Sequence, residues 1–184
     1  MTWLYSRRFL LALGLLATFA GCSEGCSQHP DASVPAVQAQ GLRPHEPYDP
    51  SKAQSLPTSP LTIESGGQTH SFIVELAETE RERNIGLMHR NSLAPDRGMI
   101  FNFHTEGQEL FWMRNTFIPL DMVFIKSSGK IIYIAANTTP HSEEGVGPAD
   151  PVQAVLELPG GTAARLGIKT GDTVHHKIFS NLGP

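Results

Sequence analysis

From Leu61 onward the apolar residues fall in short runs separated by Gly, Pro, Asn and Asp, the spacing of strands rather than of long helices. In "LTIESGGQTHSFIVELA", Leu61 and Ile63 alternate with polar residues, Gly66 and Gly67 turn the chain, and Phe72, Val74 and Leu76 share one face; the pattern predicts a hairpin. The period then changes. In "ETERERNIGLMHR", Thr79 is placed to cap a helix, Glu82 stands three residues on as its capping-box partner, and Gly86 can close it, so a helix of about two turns is predicted. "MIFNF", "ELFWMR" and "LDMVFIK" read as strands, the first two joined by the turn "HTEGQ", and "VFIKSSGKIIYIA" reads as a second hairpin. "VQAVLEL" is a further strand, "GTAARLG" a short helix capped by Thr162 and ended by Gly167, and "DTVHHKIF" a closing strand. Many short strands with one or two short helices predict an all-β domain, an antiparallel sandwich or small barrel, over residues 61–184.

The residues before this domain follow other patterns. "MTWLYSRRFLLALGLLATFAGC" has a basic start at Arg7 and Arg8, an apolar stretch from Phe9 to Ala20 and small residues before Cys22, which reads as a signal peptide over 1–21. Its end, "FAGC", resembles a bacterial lipobox, although Phe19 stands where leucine is usual. That resemblance implies cleavage before Cys22 and a membrane anchor through lipid on its sulfur. Ordinary cleavage after Ala20, with Thr18 and Ala20 as the small residues, is the alternative. Either route places the protein on the periplasmic or outer-surface side of a bacterial membrane. Residues 22–60 are rich in proline with Tyr48 as the single aromatic, and read as a disordered tether.

Charge and cysteine content narrow the partners. Loss of Arg7 and Arg8 takes the basic count from 14 to 12 against 18 acidic residues, and a net charge of −6 with no basic stripe argues against nucleic acid. Cys22 and Cys26 are the only cysteines and both precede the domain, so a core thiol nucleophile or cysteine metal cluster is excluded.

"GLMHR", "RGMIFNF", "FWMRNTFIPLDMVFI" and "VLELPGGTAARLGIKTGD", in this order, resemble the bacterial and archaeal family known as domain of unknown function 192. The resemblance implies an all-β, sandwich-like fold in small exported or membrane-tethered proteins, and it implies no activity. It also implies a cysteine-bearing or proline-rich stretch where "NTTPHSEEGVGPAD" stands, and this chain has no cysteine there.

The chemistry-bearing residues are few. Pro119 must interrupt the ribbon "FWMRNTFIPLDMVFI", and Arg114, Asn115, Thr116 and Asp121 can satisfy the backbone groups freed there, with Arg114 as charge partner for Asp121. The same residues also fit a shallow ligand site: Trp112 as an apolar platform, Asn115 and Asp121 reading the hydroxyls of an envelope glycan or the groups of a protein partner. Asp121 and Glu157 would serve acid-base chemistry if the fold united them, whereas strand alternation places Glu157 toward solvent. Met88, Met99, Met113 and Met122 with His89 and His104 form a soft donor set of the kind that suits copper, although each Met also sits in an apolar run typical of a core. The chain has no nucleophile-elbow serine, helical zinc pair or phosphate-cradling glycine loop, and no cofactor is expected.

Overall fold

The structure, a computed structural model, describes residues 45–179; the expected signal over 1–21, Cys22 with its lipid and the tether as far as residue 44 lie outside the described residues. Seven strands form one curled sheet: β1 (Thr58–Ser65), β2 (Gln68–Ala77), β3 (Arg97–Gly107), β4 (Leu120–Ile125), β5 (Ile131–Ala135), β6 (Val152–Pro159) and β7 (Thr173–His175), in the spatial order β5-β4-β6-β3-β2-β1-β7. Among the described residues two short α-helices accompany the sheet, α1 (Glu80–Ile85) and α2 (Thr162–Leu166), with a single 3-10 turn at Pro50–Lys52. All neighbouring strands are antiparallel except β2 and β3, which run parallel with α1 between them. The sheet curls into a half-barrel, and its two edges meet at one end through a bridge between Lys130 and Thr173, supported by Val174 N–H donating to Gly129 O at 2.8 Å. The all-β expectation therefore holds.

The alternation seen in the sequence sorts the side chains onto two faces. Leu61, Ile63, Phe72, Val74, Ile100, Val123, Leu156, Leu158 and Val174 fill the enclosed face, joined by Ala163 from α2 and by Ile168. A second apolar cluster lies on the opposite face of β3, β4 and β6: Met99, Phe101, Met122, Phe124 and Val155, covered by Leu87 and Met113. Strands β4 and β6 are thus covered on both sides, and every residue of β4 is buried.

Local signals act as read at several places. Gly66 and Gly67, at φ 57° and 78°, turn the β1–β2 hairpin. Thr79 accepts from the Glu82 N–H at 3.2 Å while the Glu82 carboxylate accepts from the Thr79 N–H at 2.9 Å, the reciprocal capping box. Elsewhere tertiary contacts override the local reading. "ELFWMR" is not a strand: only Phe111 pairs, with Val146, and residues 108–119 form a loop laid over the second cluster. The expected turn "HTEGQ" is partly taken up by β3, which runs on to Gly107 through a register shift after Asn102. The closing strand shrinks to Thr173–His175.

The folded part also begins earlier than Leu61. β1 starts at Thr58, and Pro60 is tolerated because β7 pairs only from Thr62 onward, leaving β1 an edge at that point. Within the expected tether, the Leu56 N–H donates to Glu75 at 2.8 Å, and the Gln54 amide donates to the Glu82 and Gly86 carbonyls at the end of α1. Arg90, paired with Glu75 at 2.6 Å, also donates to the Gln54 carbonyl. These are polar contacts between distant segments, invisible to composition.

Asp121 organises the far end of the sheet. Its carboxylate is wholly buried and accepts three backbone N–H bonds, from Asn137 at 2.6 Å, Gly161 at 2.9 Å and Ala163 at 2.7 Å. The helix α2 is accordingly capped by Asp121 and not by Thr162; its N-cap is Gly161 at φ 81°, which has no side chain to offer. Arg114 is not the partner of Asp121, because it belongs to the loop on the other face, where it lies 3.4 Å from Glu143. Replacing one carboxylate oxygen by an amide NH2 would set a donor against these N–H groups. Asp121→Asn is therefore expected to cost about 3 kcal/mol in urea unfolding, and a change under about 1 kcal/mol would contradict this role.

Candidate functional site

On the second face, between α1, β3 and the loop 108–119, lies a cleft of about 330 Å³. Glu157 of β6 is at its base. In register it stands between Met99 on β3 and Met122 on β4, two side chains with no hydrogen-bond donor, and it is only 4% exposed. Its carboxyl makes no hydrogen bond or ion pair with any of the described residues, and burial pushes its pKa up to about 8. Strands β6 and β3 approach closely here because Gly98 has no side chain: a Cβ would lie 2.5 Å from the Glu157 carbonyl oxygen.

The walls are aromatic. Phe101 and Phe103 project from β3, and Phe111 from the loop meets them edge-on at 5.0 and 6.2 Å. Gly86 lets the end of α1 settle on Phe101, where a Cβ would come within 3.2 Å of the ring. At the lip, Leu110 and Trp112 are 67% and 53% exposed, large apolar surface left facing solvent beside a cleft. Charged groups at the cleft are Glu80 and Arg83 from α1 and Glu109 from the loop, whose pKa burial raises. Arg83 donates to the Glu78 and Asn102 carbonyls and lies over the Phe103 ring at 5.1 Å.

Of the residues singled out from the sequence, Trp112 and Glu157 meet in this cleft, with Met88 and Thr116 also in its lining. Glu157 does not face solvent: β6 lies between β3 and β4, and the loop covers the face that alternation assigns to water. Arg114 sits beside Trp112, its guanidinium 5.8 Å from the ring. Asn115, at φ 52°, is turned away and accepts from the Glu46 N–H at 3.2 Å, holding the N-terminal segment. Asp121 pairs in register with Leu158 and Glu157 with Met122, so the two carboxylates point to opposite faces of the sheet and cannot work as an acid-base pair.

The soft donor set is dispersed among other roles. Met99, Met113 and Met122 are buried in the second cluster, and Met113 sulfur accepts from Thr138 Oγ1 at 3.1 Å. His89 accepts from the Asp49 N–H and packs on Phe117, while His104 lies against Asn102. Among the described residues no group of three or more His, Cys, Asp or Glu is placed to hold a metal ion. The sequence reading missed Phe101, Phe103, Phe111 and Arg83. The alternation of "FNF" does place Phe101 and Phe103 on one face, and that signal was open to reading.

Fold and site together define a curled β-sheet domain that carries an aromatic cleft around one buried carboxyl group. The chain belongs to the family DUF192, described as "Uncharacterized ACR", whose profile matches residues 61–176. Two crystal structures resemble it. A Sinorhizobium meliloti 1021 protein described as a candidate transcription regulator is 42% identical, covering 66% of this chain and 95% of that one at a TM-score of 0.65. A Novosphingobium aromaticivorans protein of unknown function is 45% identical, covering 66% and 86% at a TM-score of 0.64. Comparison with curated proteins finds no match.

The raised pKa of Glu157 has a consequence for stability. Below pH 4.5 its carboxyl is neutral in folded and unfolded chains alike; between pH 4.5 and about 8 only the unfolded chain releases the proton, so folding is progressively disfavoured. Glu157→Gln removes this contribution. The stability of the variant relative to wild type should rise by about 3 kcal/mol between pH 5 and pH 8 in urea unfolding, at roughly 1.4 kcal/mol per pH unit. A difference independent of pH would show that Glu157 ionises normally in the folded state.

Proposed function

We propose that this protein is a ligand-binding module of the bacterial cell envelope, exported by its N-terminal signal, anchored through lipid on Cys22, and binding through the cleft above Glu157. The observation that carries the binding reading is the buried carboxyl without a partner at the base of an aromatic-walled opening. A polar group so placed costs stability that the fold does not recover internally, a cost found where a ligand completes the hydrogen bonding. Exposed Leu110 and Trp112 at the lip support the same reading, since surface of this kind is a common mark of binding sites. The separation of Asn115 and Asp121 from Trp112 favours a ligand with an apolar body over a glycan read by its hydroxyls.

Nile red, a neutral apolar fluorophore, is the first probe. Trp112→Ala and Leu110→Ser should each weaken its binding about tenfold, the effect of losing roughly 1.4 kcal/mol of contact, with the melting temperature unchanged because both side chains are largely exposed. Binding equal to wild type in both variants would remove the cleft from consideration.

The anchor is tested separately, by expressing the chain with its own leader in a bacterium and fractionating the cells. Cys22→Ser should move the protein from the membrane to the soluble fraction, whereas wild type found in the soluble fraction would favour ordinary cleavage after Ala20.

A further inference from the structure

We propose that the cleft recognises a cation, an ammonium group on an apolar stem, with the ammonium seated on Glu157 and the stem along Phe101, Phe103 and Phe111. The proposal rests on the binding reading above and names the class of ligand.

Three observations converge on a cation. First, Glu157 is almost wholly buried, lines the cleft, and has neighbours in register, Met99 and Met122, that cannot donate to it. A buried carboxyl without a donor takes its partner from outside the chain. Second, the walls are phenyl rings, a group whose faces attract cations, and Phe103 already carries the Arg83 guanidinium 5.1 Å from its centroid. Third, the charged groups facing the cleft are Glu80 and Arg83 from α1 and Glu109 from the loop, while β3 and β4 contribute no titratable group beside Glu157. Arg83, held by two backbone carbonyls over Phe103, offsets one of the two acidic groups, so the entrance keeps a net negative charge.

An anion entering this cleft would face Glu80 and Glu109 against the single cation Arg83, with the Glu157 carboxyl at the base. A neutral alcohol could pack its stem on the rings and hydrogen-bond to Glu157, but would gain nothing from the acidic entrance.

Burial keeps Glu157 protonated at neutral pH, so an arriving ammonium displaces that proton. The neutral carboxyl and the charged ammonium become a carboxylate-ammonium pair, and the proton leaves to solvent. Binding is therefore linked to proton release.

The experiment is titration calorimetry of the full chain with n-hexylammonium, 1-hexanol and hexanoate at pH 6 and pH 8, in two buffers of different ionisation enthalpy. An alkylammonium remains charged up to about pH 10, so the pH dependence reports the protein. The expected result is roughly 50-fold tighter hexylammonium binding at pH 8 than at pH 6, the ratio of ionised Glu157 for a pKa of about 8, with proton release near pH 7. Hexanol should bind at least tenfold more weakly than hexylammonium at pH 8, and hexanoate more weakly still. Glu157→Gln should abolish both the pH dependence and the preference for the amine.

Hexanol or hexanoate binding as tightly as the amine, or amine affinity that does not change with pH, overturns the proposal. If Nile red still binds, the cleft reading survives that failure; loss of Nile red binding to wild type would remove both. N-acetyl-lysine N-methylamide in the same titration separates the two sources of such a group. Binding tighter than hexylammonium would support a lysine side chain of a protein, and weaker binding would support a free amine.

Discussion

The Asp121 carboxylate is the interaction on which the far end of this fold depends. Three backbone N–H groups, from the loop after β5 and from the first turn of α2, converge on one buried side chain of β4. Each would otherwise be an unsatisfied donor in an apolar setting, as would the carboxylate itself. Once the three are joined, α2 is fixed against the enclosed face and Ala163 enters its core. Gly160 must then be glycine, because a Cβ there would lie 2.7 Å from Asn137 Oδ1 and 2.9 Å from Pro119 Cβ. Charge pairing with Arg114 is unnecessary, and Arg114 is released to the opposite face.

That opposite face is where the structure departs from a simple half-barrel. β3, β4 and β6 present apolar side chains outward as well as inward, and the loop 108–119 is drawn over them by Phe111 and Met113. The loop has no strand neighbours of its own. It is pinned by the Phe111–Val146 pair, by the Met113 N–H donating to Ser142 O at 2.8 Å, and by the His89 N–H donating to Asn115 O at 2.9 Å. Holding it there requires left-handed backbone at His89, Asn115 and His141, at φ 58°, 52° and 63°. Such conformations cost of order 1 kcal/mol or more per residue outside glycine and persist where the surroundings impose them. The cleft over Glu157 is the space this covering loop does not close.

The segment 45–56 illustrates how weak composition is as a guide to order. Its prolines and polar residues offer little apolar area, yet Glu46, Asp49, Gln54 and Leu56 each meet a complementary group on the domain. The largely buried Arg90–Glu75 pair is the hub, since Glu75 receives the Leu56 N–H and Arg90 donates to the Gln54 carbonyl. Hydrogen bonds of this kind are each modest, and together they order a segment that hydrophobic burial alone would leave free.

What the sequence determined by itself are the features set within a few residues of chain: the Gly66-Gly67 turn, the Thr79–Glu82 capping box, the left-handed cap at Gly167, and the alternation that assigns Phe72, Val74 and Leu76 to one face. These follow from backbone sterics and side-chain periodicity, which need no knowledge of distant neighbours. Only the tertiary structure decided the rest. Asp121 finds its partners 16, 40 and 42 residues away, a pairing no spacing rule encodes. Glu157 alternates as a solvent-facing residue should, and is buried because β6 pairs with β3 and β4 together and a loop from elsewhere covers it. Trp112 and Glu157 could be named from the sequence, but their meeting could not. It depends on strand order and on where a loop comes to rest, both of which are properties of the assembled sheet.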